Sequence, residues 1–248
     1  MRRPRIYSDS SLELGKTFEL DDRSDHYLRH VLRIKSGQSI TVFNGDGNDY
    51  HATVTEIKRK VIQVTLNDTE TSIYPCKESP IDITLAIGIS KGDRMDWVVQ
   101  KATELGVNKI QPLLTHRVDK PFNESRLKKK TEHWQAVAIS ACEQCGRSVI
   151  PQLANAITTN DWLSESRDTL KLVLDPNGKT LKTLNSQLDS PPKDIDLLIG
   201  PEGGLTQEEI EHALKENYFS LSLGPRILRT ETAPLVAMTL IQERWGDI

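Results

Sequence analysis

The segment DLLIGPEGGLTQEEIEHAL (Asp196–Leu214) passes from strand to helix through a turn rich in glycine. Its first residues form an apolar run typical of a buried strand, and its last residues have the periodicity of an amphipathic helix. The same alternation of strand and helix runs from Ile81 to the end of the sequence. It predicts an α/β domain with a mostly parallel sheet covered by helices on both faces.

The C-terminal part of the chain contains five predicted strands and four predicted helices. The strands are residues 81–89, 109–115, 170–175, 195–200 and 220–224. The helices are residues 93–107, 125–146, 206–218 and 229–245. Gly106 and Gly146 mark the ends of the first two. Two Gly-Pro turns, at Gly200 and Gly224, each follow a strand, at the sheet edge where open α/β sheets bind ligands.

Residues 1–72 predict a smaller, β-rich domain, and residues 73–80, with two prolines, predict a linker to the domain at 81–248. Strands are expected at 38–43, 50–57 and 61–66, with NGDGND (44–49) as a turn. The spacing of basic and apolar residues before these strands predicts a short helix with one basic face and one apolar face. The basic face holds His26, Arg29, His30 and Arg33, and the apolar face holds Leu28, Val31 and Leu32.

Composition indicates a globular protein of 248 residues with net charge −3, so charge alone does not account for nucleic-acid binding. No apolar run is long enough to span a bilayer, and the basic start lacks a secretory signal, which predicts a cytoplasmic protein without a membrane partner. Three cysteines, Cys76, Cys142 and Cys145, suit reduced thiols. Cys142 and Cys145 lack further zinc ligands and end a helix, so neither a metal nor a redox pair is expected.

The first Gly-Pro turn excludes a phosphate-binding loop. Thr206 and Glu209 predict a capping box that occupies the free amides of the helix, and Glu202 and Glu208 would repel a phosphate. The backbone can still bind an uncharged ring, and the carboxylates favour a cation. S-adenosylmethionine, with an adenine and a sulfonium, fits both requirements. A pair of capped turns without a ligand stays open as the alternative.

Two other functions are compatible with the sequence. GISKG (88–92) matches the nucleophile elbow of serine hydrolases, with Ser90 as the nucleophile, although a capped turn is the simpler interpretation. A non-catalytic RNA-binding protein is the second alternative, because basic residues cluster in the N-terminal domain. The predicted contacts to RNA phosphates are Arg2, Arg3, Arg5, Arg29, Arg33 and, after the CEQCG helix end, Arg147.

Two long motifs, LLIGPEGGLTQEE (197–209) and LGPRILRTETAPLVA (223–237), resemble the cofactor-binding motifs of the SPOUT methyltransferases. They are most similar to those of the bacterial 16S ribosomal RNA uridine-N3 methyltransferase family. The resemblance extends to residues 5–7, 26–37, 91–107 and 141–147, and so covers nearly the whole chain.

This resemblance implies a C-terminal SPOUT domain with a deep trefoil knot, an N-terminal PUA-like β-barrel that binds RNA, and a homodimer. It implies S-adenosylmethionine as cofactor and a uridine of 16S ribosomal RNA, within the 30S subunit, as substrate. The implied cofactor pocket comprises Leu172, Leu174, Leu198, Ile199, Gly200, Pro201, Gly203, Gly204, Leu223, Gly224, Ile227 and Leu228.

Methylation at N3 requires a site that removes the N3 proton or stabilises the uracil anion. Arg229 directly follows the second turn and is the first candidate for stabilising that anion. Glu202 and Glu231 are weaker candidates for accepting the proton. The reaction needs no metal.

Overall fold

The computed structural model describes residues 3–59, 61–70, 78–117 and 123–248. Its chain forms two compact units: unit 1 is Met1–Glu78 with Cys142–Ile150, and unit 2 is Ser79–Ala141 with Pro151–Ile248. Residues 142–150, predicted to lie in the C-terminal domain, pack in unit 1 instead, since Arg5 and Arg23 bind their backbone and side chains. Arg2, Cys76 and most of the predicted linker lie outside the described residues.

Unit 1 contains a five-stranded sheet around an apolar core that includes Ile6, Ile40 and Val64. The predicted antiparallel meander is confirmed, and two three-residue strands too short for a sequence pattern flank it, one of them parallel to its neighbour. The strand order is β1-β3-β4-β5-β2. The strands are β1 (Arg5–Tyr7), β2 (Thr17–Glu19), β3 (Ser39–Phe43), β4 (Asp49–Ile57) and β5 (Ile62–Glu70).

The predicted short helix of unit 1 is an α-helical segment, α1 (Asp22–His26), continued by a π-helical turn at Tyr27–Val31. The wider turn changes which residues share a face, so the predicted apolar face is wrong: Leu28 is buried, but Val31 is 61% and Leu32 40% exposed. Arg33 adopts a φ of 51°, a left-handed conformation that ends the helix before it.

Unit 2 contains a parallel sheet of seven strands in the order β12-β10-β11-β6-β7-β8, with β9 also paired to β7. All its pairings are parallel, as predicted. The strands are β6 (Asp82–Gly88), β7 (Lys109–Leu114), β8 (Gln152–Leu153), β9 (Ile157–Thr158), β10 (Leu170–Lys179), β11 (Asp194–Ile199) and β12 (Phe219–Leu221). The helices are α2 (Arg94–Glu104), α3 (Glu124–Cys145), α4 (Thr159–Ser164), α5 (Leu181–Asn185), α6 (Gln207–Lys215) and α7 (Ala233–Trp245).

Helices cover both faces of this sheet, which confirms the predicted layering. On one face, Ile83 and Leu85 of β6 share a core cluster with Val99 of α2, Trp134 of α3 and Ile241 of α7. On the other face, a second cluster joins alternate strand positions to α4 and α6; it includes Ala86, Leu198, Trp162 and Ala213. The period-two alternation of strand side chains produces both clusters from the same strands.

Two elements of unit 2 differ in length from their predictions. Strand β10 continues beyond Asp175 after a register shift between Leu174 and Lys179, with the Asp175 side chain accepting a hydrogen bond from the Asn177 amide at 2.9 Å. Helix α7 begins at Ala233 instead of Arg229, and Pro234 lies in its first turn, where a missing N–H costs nothing. Both changes leave additional irregular chain at the same sheet edge. Among the described residues, no helix is both long and apolar enough to cross a membrane.

Candidate functional site

A cavity of about 570 Å³ lies in unit 2, at the carboxyl ends of its parallel strands. Residues of strand β10, the loops after β7, β11 and β12, and the first residue of α2 form most of its walls. The volume is in the range of small-molecule sites, and this edge of an open α/β sheet is where such ligands bind. The position therefore agrees with that predicted from the two Gly-Pro turns.

The structure brings most of the predicted cofactor residues to this cavity. It is lined by Leu174, Ile199, Gly200, Pro201, Gly203, Gly204, Leu223, Gly224, Ile227 and Leu228, and also by the three predicted catalytic residues Glu202, Arg229 and Glu231. Leu172 and Leu198 do not line it, because their side chains are wholly buried in the two core clusters. They support the strands that end at the cavity.

The first Gly-Pro turn depends on close backbone packing. A Cβ atom at Gly200 would lie 2.5 Å from the amide nitrogen of Leu205 and 2.6 Å from the carbonyl carbon of Gly204. A Cβ at Gly88, the end of β6, would lie 2.5 Å from Pro201. Glycine is required at both positions because backbone atoms occupy the space of a side chain.

The helix after this turn is capped by the protein itself, as predicted. The Thr206 hydroxyl accepts from the Glu209 amide at 3.2 Å, and Glu209 accepts from the Thr206 amide at 2.8 Å. Glu209 also accepts from the His116 amide at 3.0 Å, which ties the loop after β7 to the helix. Two of the amides at this helix start are thus already used, which leaves fewer donors for a phosphate.

Four charged side chains of the cavity form one connected group: Arg94, Glu202, Arg229 and Glu231. Arg94 donates to Glu202, and its Nε lies 3.7 Å from Glu231. Arg229 lies 4.0 Å from Glu231 and its side chain is 82% exposed, so its guanidinium is accessible to a bound molecule. Arg117, also at the cavity, donates to the carbonyl of Gly203.

Hydrogen bonds keep Glu202 ionised. Partial burial acts to raise the pKa of its carboxyl, but the amides of Glu202 and Lys91 and the guanidinium of Arg94 outweigh burial and lower that pKa. The Lys91 amide donates at 2.8 Å. A carboxylate with a lowered pKa is a weak proton acceptor, so the geometry favours Glu202 as a fixed negative charge over Glu202 as a base.

Several residues of the cavity were not predicted from the sequence. Arg94, Arg117, Asp175, Arg226 and Thr230 line it without having been predicted. Arg94 begins α2, Asp175 lies in β10, and Arg117, Arg226 and Thr230 lie in loops that follow strands. Their position near the carboxyl ends of the strands could have identified them, because α/β sheets bind ligands at this edge.

Ser90 has a structural role. It is 3% exposed, and its hydroxyl shares a hydrogen bond of 3.3 Å with Thr230, which in turn donates to the Gly200 carbonyl at 3.3 Å. A nucleophile must reach both a substrate and a general base, and a buried serine bound to a threonine does not. The geometry thus gives no support to the serine hydrolase alternative.

The predicted RNA-binding arginines of unit 1 differ in accessibility. Arg3 and Arg33 are exposed, with Arg3 in contact with His51, whereas Arg29 pairs with Asp25 at 2.7 Å. Arg147 is 3% exposed and pairs with Glu78 at 2.6 Å. Burial in an ion pair removes the Arg147 guanidinium from phosphate contact, so its predicted role is revised to a structural one.

Arg5 also has a structural role in place of the predicted RNA contact. Its guanidinium pairs with Asp49 at 2.5 Å and donates to the Cys142 carbonyl at 2.7 Å, and it stacks 4.4 Å above the Phe43 ring. The side chain is 8% exposed. Arg5 therefore attaches residues 142–150 to the sheet of unit 1.

We expect Arg5→Ala to destabilise the protein by about 3 kcal/mol, because removing the buried guanidinium leaves the half-buried Asp49 carboxylate without its cation. Urea unfolding followed by circular dichroism measures this change. Lys35→Ala removes an exposed cation of the same unit and should change the free energy of unfolding by less than about 0.5 kcal/mol. Equal stability of the two variants would contradict the structural role of Arg5.

The two described cysteines are free thiols, as predicted. Burial raises the pKa of Cys142 to about 12, and its sulfur lies 3.6 Å from the Val149 carbonyl. A thiol with so high a pKa is inert at neutral pH, because the thiolate is the reactive form. Cys142 is therefore a packing residue of unit 1.

Comparison with known proteins gives the family. Residues 77–242 match the RNA methyltransferase domain family, and residues 20–67 match the PUA domain of RNA methyltransferases. A ribosomal RNA small subunit methyltransferase E from Buchnera aphidicola is 35% identical over 98% of this chain and 94% of its own length. The chain belongs to the ribosomal RNA small subunit methyltransferase E family. The relative from Bacillus subtilis is 32% identical over 93% of this chain and 91% of its own.

Solved structures agree with this membership of the methyltransferase E family. A methyltransferase from Legionella pneumophila, in complex with the cofactor SAM, is 38% identical with a TM-score of 0.93. The methyltransferase E of Neisseria gonorrhoeae, bound to S-adenosyl methionine, is 36% identical with a TM-score of 0.90. Each comparison covers the whole of both chains. The mixed α/β architecture and the PUA-type N-terminal domain are thus confirmed.

Proposed function

We propose that this protein transfers a methyl group from S-adenosylmethionine to N3 of a specific uridine in 16S ribosomal RNA. The observation that carries the proposal is the cavity formed by the two Gly-Pro turns, in a chain whose family relatives are ribosomal RNA methyltransferases. Two similar solved structures contain this cofactor, which supports the same ligand here.

The residues of the cavity fit the chemistry of S-adenosylmethionine. Leu174, Ile199 and Leu223 offer apolar contacts, and Ile227 is 91% exposed, a large apolar surface for the adenine ring to cover. The backbone of the turns offers donors and acceptors to the ring edge. Glu202 and Glu231 supply negative charge for a cationic ligand, as Coulomb attraction requires.

The bound cofactor supplies an electrophilic methyl group on a sulfonium. The protein has to hold the uracil with N3 facing that group and to favour the N3 anion, since protonated N3 is a poor nucleophile. Arg229 has the accessible positive charge for this purpose. Glu231, 4.0 Å from Arg229, orients the guanidinium and remains a weaker candidate for accepting the proton, as does Glu202.

Five further properties belong to the same proposal. The C-terminal domain has the SPOUT trefoil knot, the PUA-type domain closes as a β-barrel, and the protein works as a homodimer. The RNA is modified within the 30S subunit, and a ribosomal substrate implies a cytoplasmic protein. Family resemblance supports each of these, and sedimentation analysis of the purified protein tests the dimer.

A transfer assay tests the proposed activity. The protein is incubated with S-adenosylmethionine labelled in the methyl group and with either 30S subunits or naked 16S RNA. We expect label in RNA, with 30S subunits the better substrate, and cofactor binding measurable by calorimetry. Cofactor binding without label in either RNA would favour a non-catalytic protein and contradict the proposal.

A further inference from the structure

Arg94 connects the two turns that form the cavity. It is the first residue of α2, and its guanidinium contacts Glu202 on the loop after β11 and Glu231 on the loop after β12. The two carboxylates are 29 positions apart in the sequence (231 − 202). Helix α2 supplies the side chain that contacts both of them.

The carboxylates held by Arg94 are themselves constrained. Glu202 also accepts from the Lys91 amide at 2.8 Å, so Lys91, in the loop before α2, and Arg94 both donate to its Oε1. Glu202 is 32% and Glu231 23% exposed, and both line the cavity. Two fixed anions therefore face the space in which a cationic ligand would bind.

We propose that Arg94 is a positioning residue for methyl transfer: it holds Glu202 and Glu231 in place and thereby joins the two turns into one cofactor pocket. It acts through the carboxylates, whereas Arg229 acts on the substrate. This inference rests on the proposed function.

The chemistry of the side chain makes the role specific to arginine. A guanidinium presents several donors in a plane and can contact two carboxylates at once, while a lysine ammonium is a point charge suited to one. We therefore expect Arg94→Lys to fall between the wild type and Arg94→Gln. A side chain that served only to fill space would not give this order, because glutamine and lysine both keep an extended aliphatic stem.

The test compares Arg94→Gln and Arg94→Lys with the wild-type protein. Calorimetry measures the dissociation constant for S-adenosylmethionine, and steady-state assays at saturating cofactor measure kcat and KM for 30S subunits. For Arg94→Gln we expect cofactor affinity to fall about tenfold, the effect of losing a charged hydrogen bond. We expect kcat to fall about a hundredfold, because the reacting groups are misplaced, with KM for 30S subunits unchanged.

Two controls accompany these variants. Lys215→Gln removes an exposed cation from the last turn of α6, outside the cavity, and should match the wild type in all three measurements. The double variant Arg94→Gln/Glu202→Gln should lose less binding free energy for the cofactor than the two single variants lose together. This is the result expected when the two side chains act as a pair.

If the wild-type protein is active, an unchanged kcat and an unchanged cofactor affinity in Arg94→Gln would overturn this inference and leave the proposed function standing. Equal losses in the lysine and glutamine variants, with lowered melting temperatures in both, would overturn it in favour of a general structural role. A wild-type protein that neither binds cofactor nor methylates RNA would instead overturn the proposed function and, with it, the role of Arg94.

Discussion

Replacing Arg229 by alanine is expected to reduce methyl transfer to RNA by about a thousandfold, at the upper end of what one charged group contributes to stabilising an anion. The guanidinium is 82% exposed at the cavity and contacts Glu231 only at 4.0 Å, so it makes few contacts that fold the turn. We therefore expect the melting temperature and cofactor binding of Arg229→Ala to stay close to those of the wild type.

Single-turnover assays with 30S subunits measure the loss, and calorimetry with S-adenosylmethionine measures the retained binding. Arg229→Lys serves as the matched variant: it keeps a positive charge without the planar guanidinium, and should recover part of the rate. Turnover of Arg229→Ala equal to that of the wild type would remove Arg229 from the mechanism.

Replacing Gly200 by alanine is expected to abolish measurable cofactor binding and to destabilise the protein by about 3 kcal/mol. The new Cβ would lie 2.5 Å from the Leu205 amide nitrogen and 2.9 Å from the Gly204 Cα, and neither backbone atom can move without opening the turn. The turn carries Glu202 and several other residues of the cavity wall, so its distortion reaches the ligand site directly.

Gly203→Ala is the matched variant, because it places a methyl group on the same turn. Its Cβ would lie 3.2 Å from the Arg117 Cδ, in a flexible and exposed side chain that can shift. We expect Gly203→Ala to lose much less stability in urea unfolding than Gly200→Ala. Similar unfolding and similar cofactor affinity in the two variants would show that backbone crowding at Gly200 is not what shapes the turn.

Long, strongly patterned elements were predictable from the sequence. Buried strands such as β6 and β11 consist of near-continuous apolar residues, and the capping box at Thr206 fixes the start of α6. The glycine turns marked the ligand edge, because parallel strands direct their carboxyl ends to one side of the sheet. Ten of the twelve cofactor residues that the family resemblance implied line the cavity, all but Leu172 and Leu198.

The remaining differences arise from contacts between residues distant in sequence. Arg5 looked like a phosphate ligand, and its burial beside Asp49 and the Cys142 carbonyl depends on partners more than 40 positions away. Arg94 lies near the start of the helix predicted at 93–107, and its two carboxylate contacts require the assembled sheet. The π-helical turn at Tyr27 changed the helix register, which a period of 3.6 residues does not predict.

Identification of the methylated nucleoside tests the central claim most directly. 16S RNA from 30S subunits treated with the protein and S-adenosylmethionine is digested to nucleosides, which are separated and identified by mass spectrometry against synthetic standards; fragment mapping then locates the methyl group. We predict N3-methyluridine at a single position, absent when the cofactor is omitted. A methyl group on another base or on the ribose, or no new methyl group at all, would contradict the account.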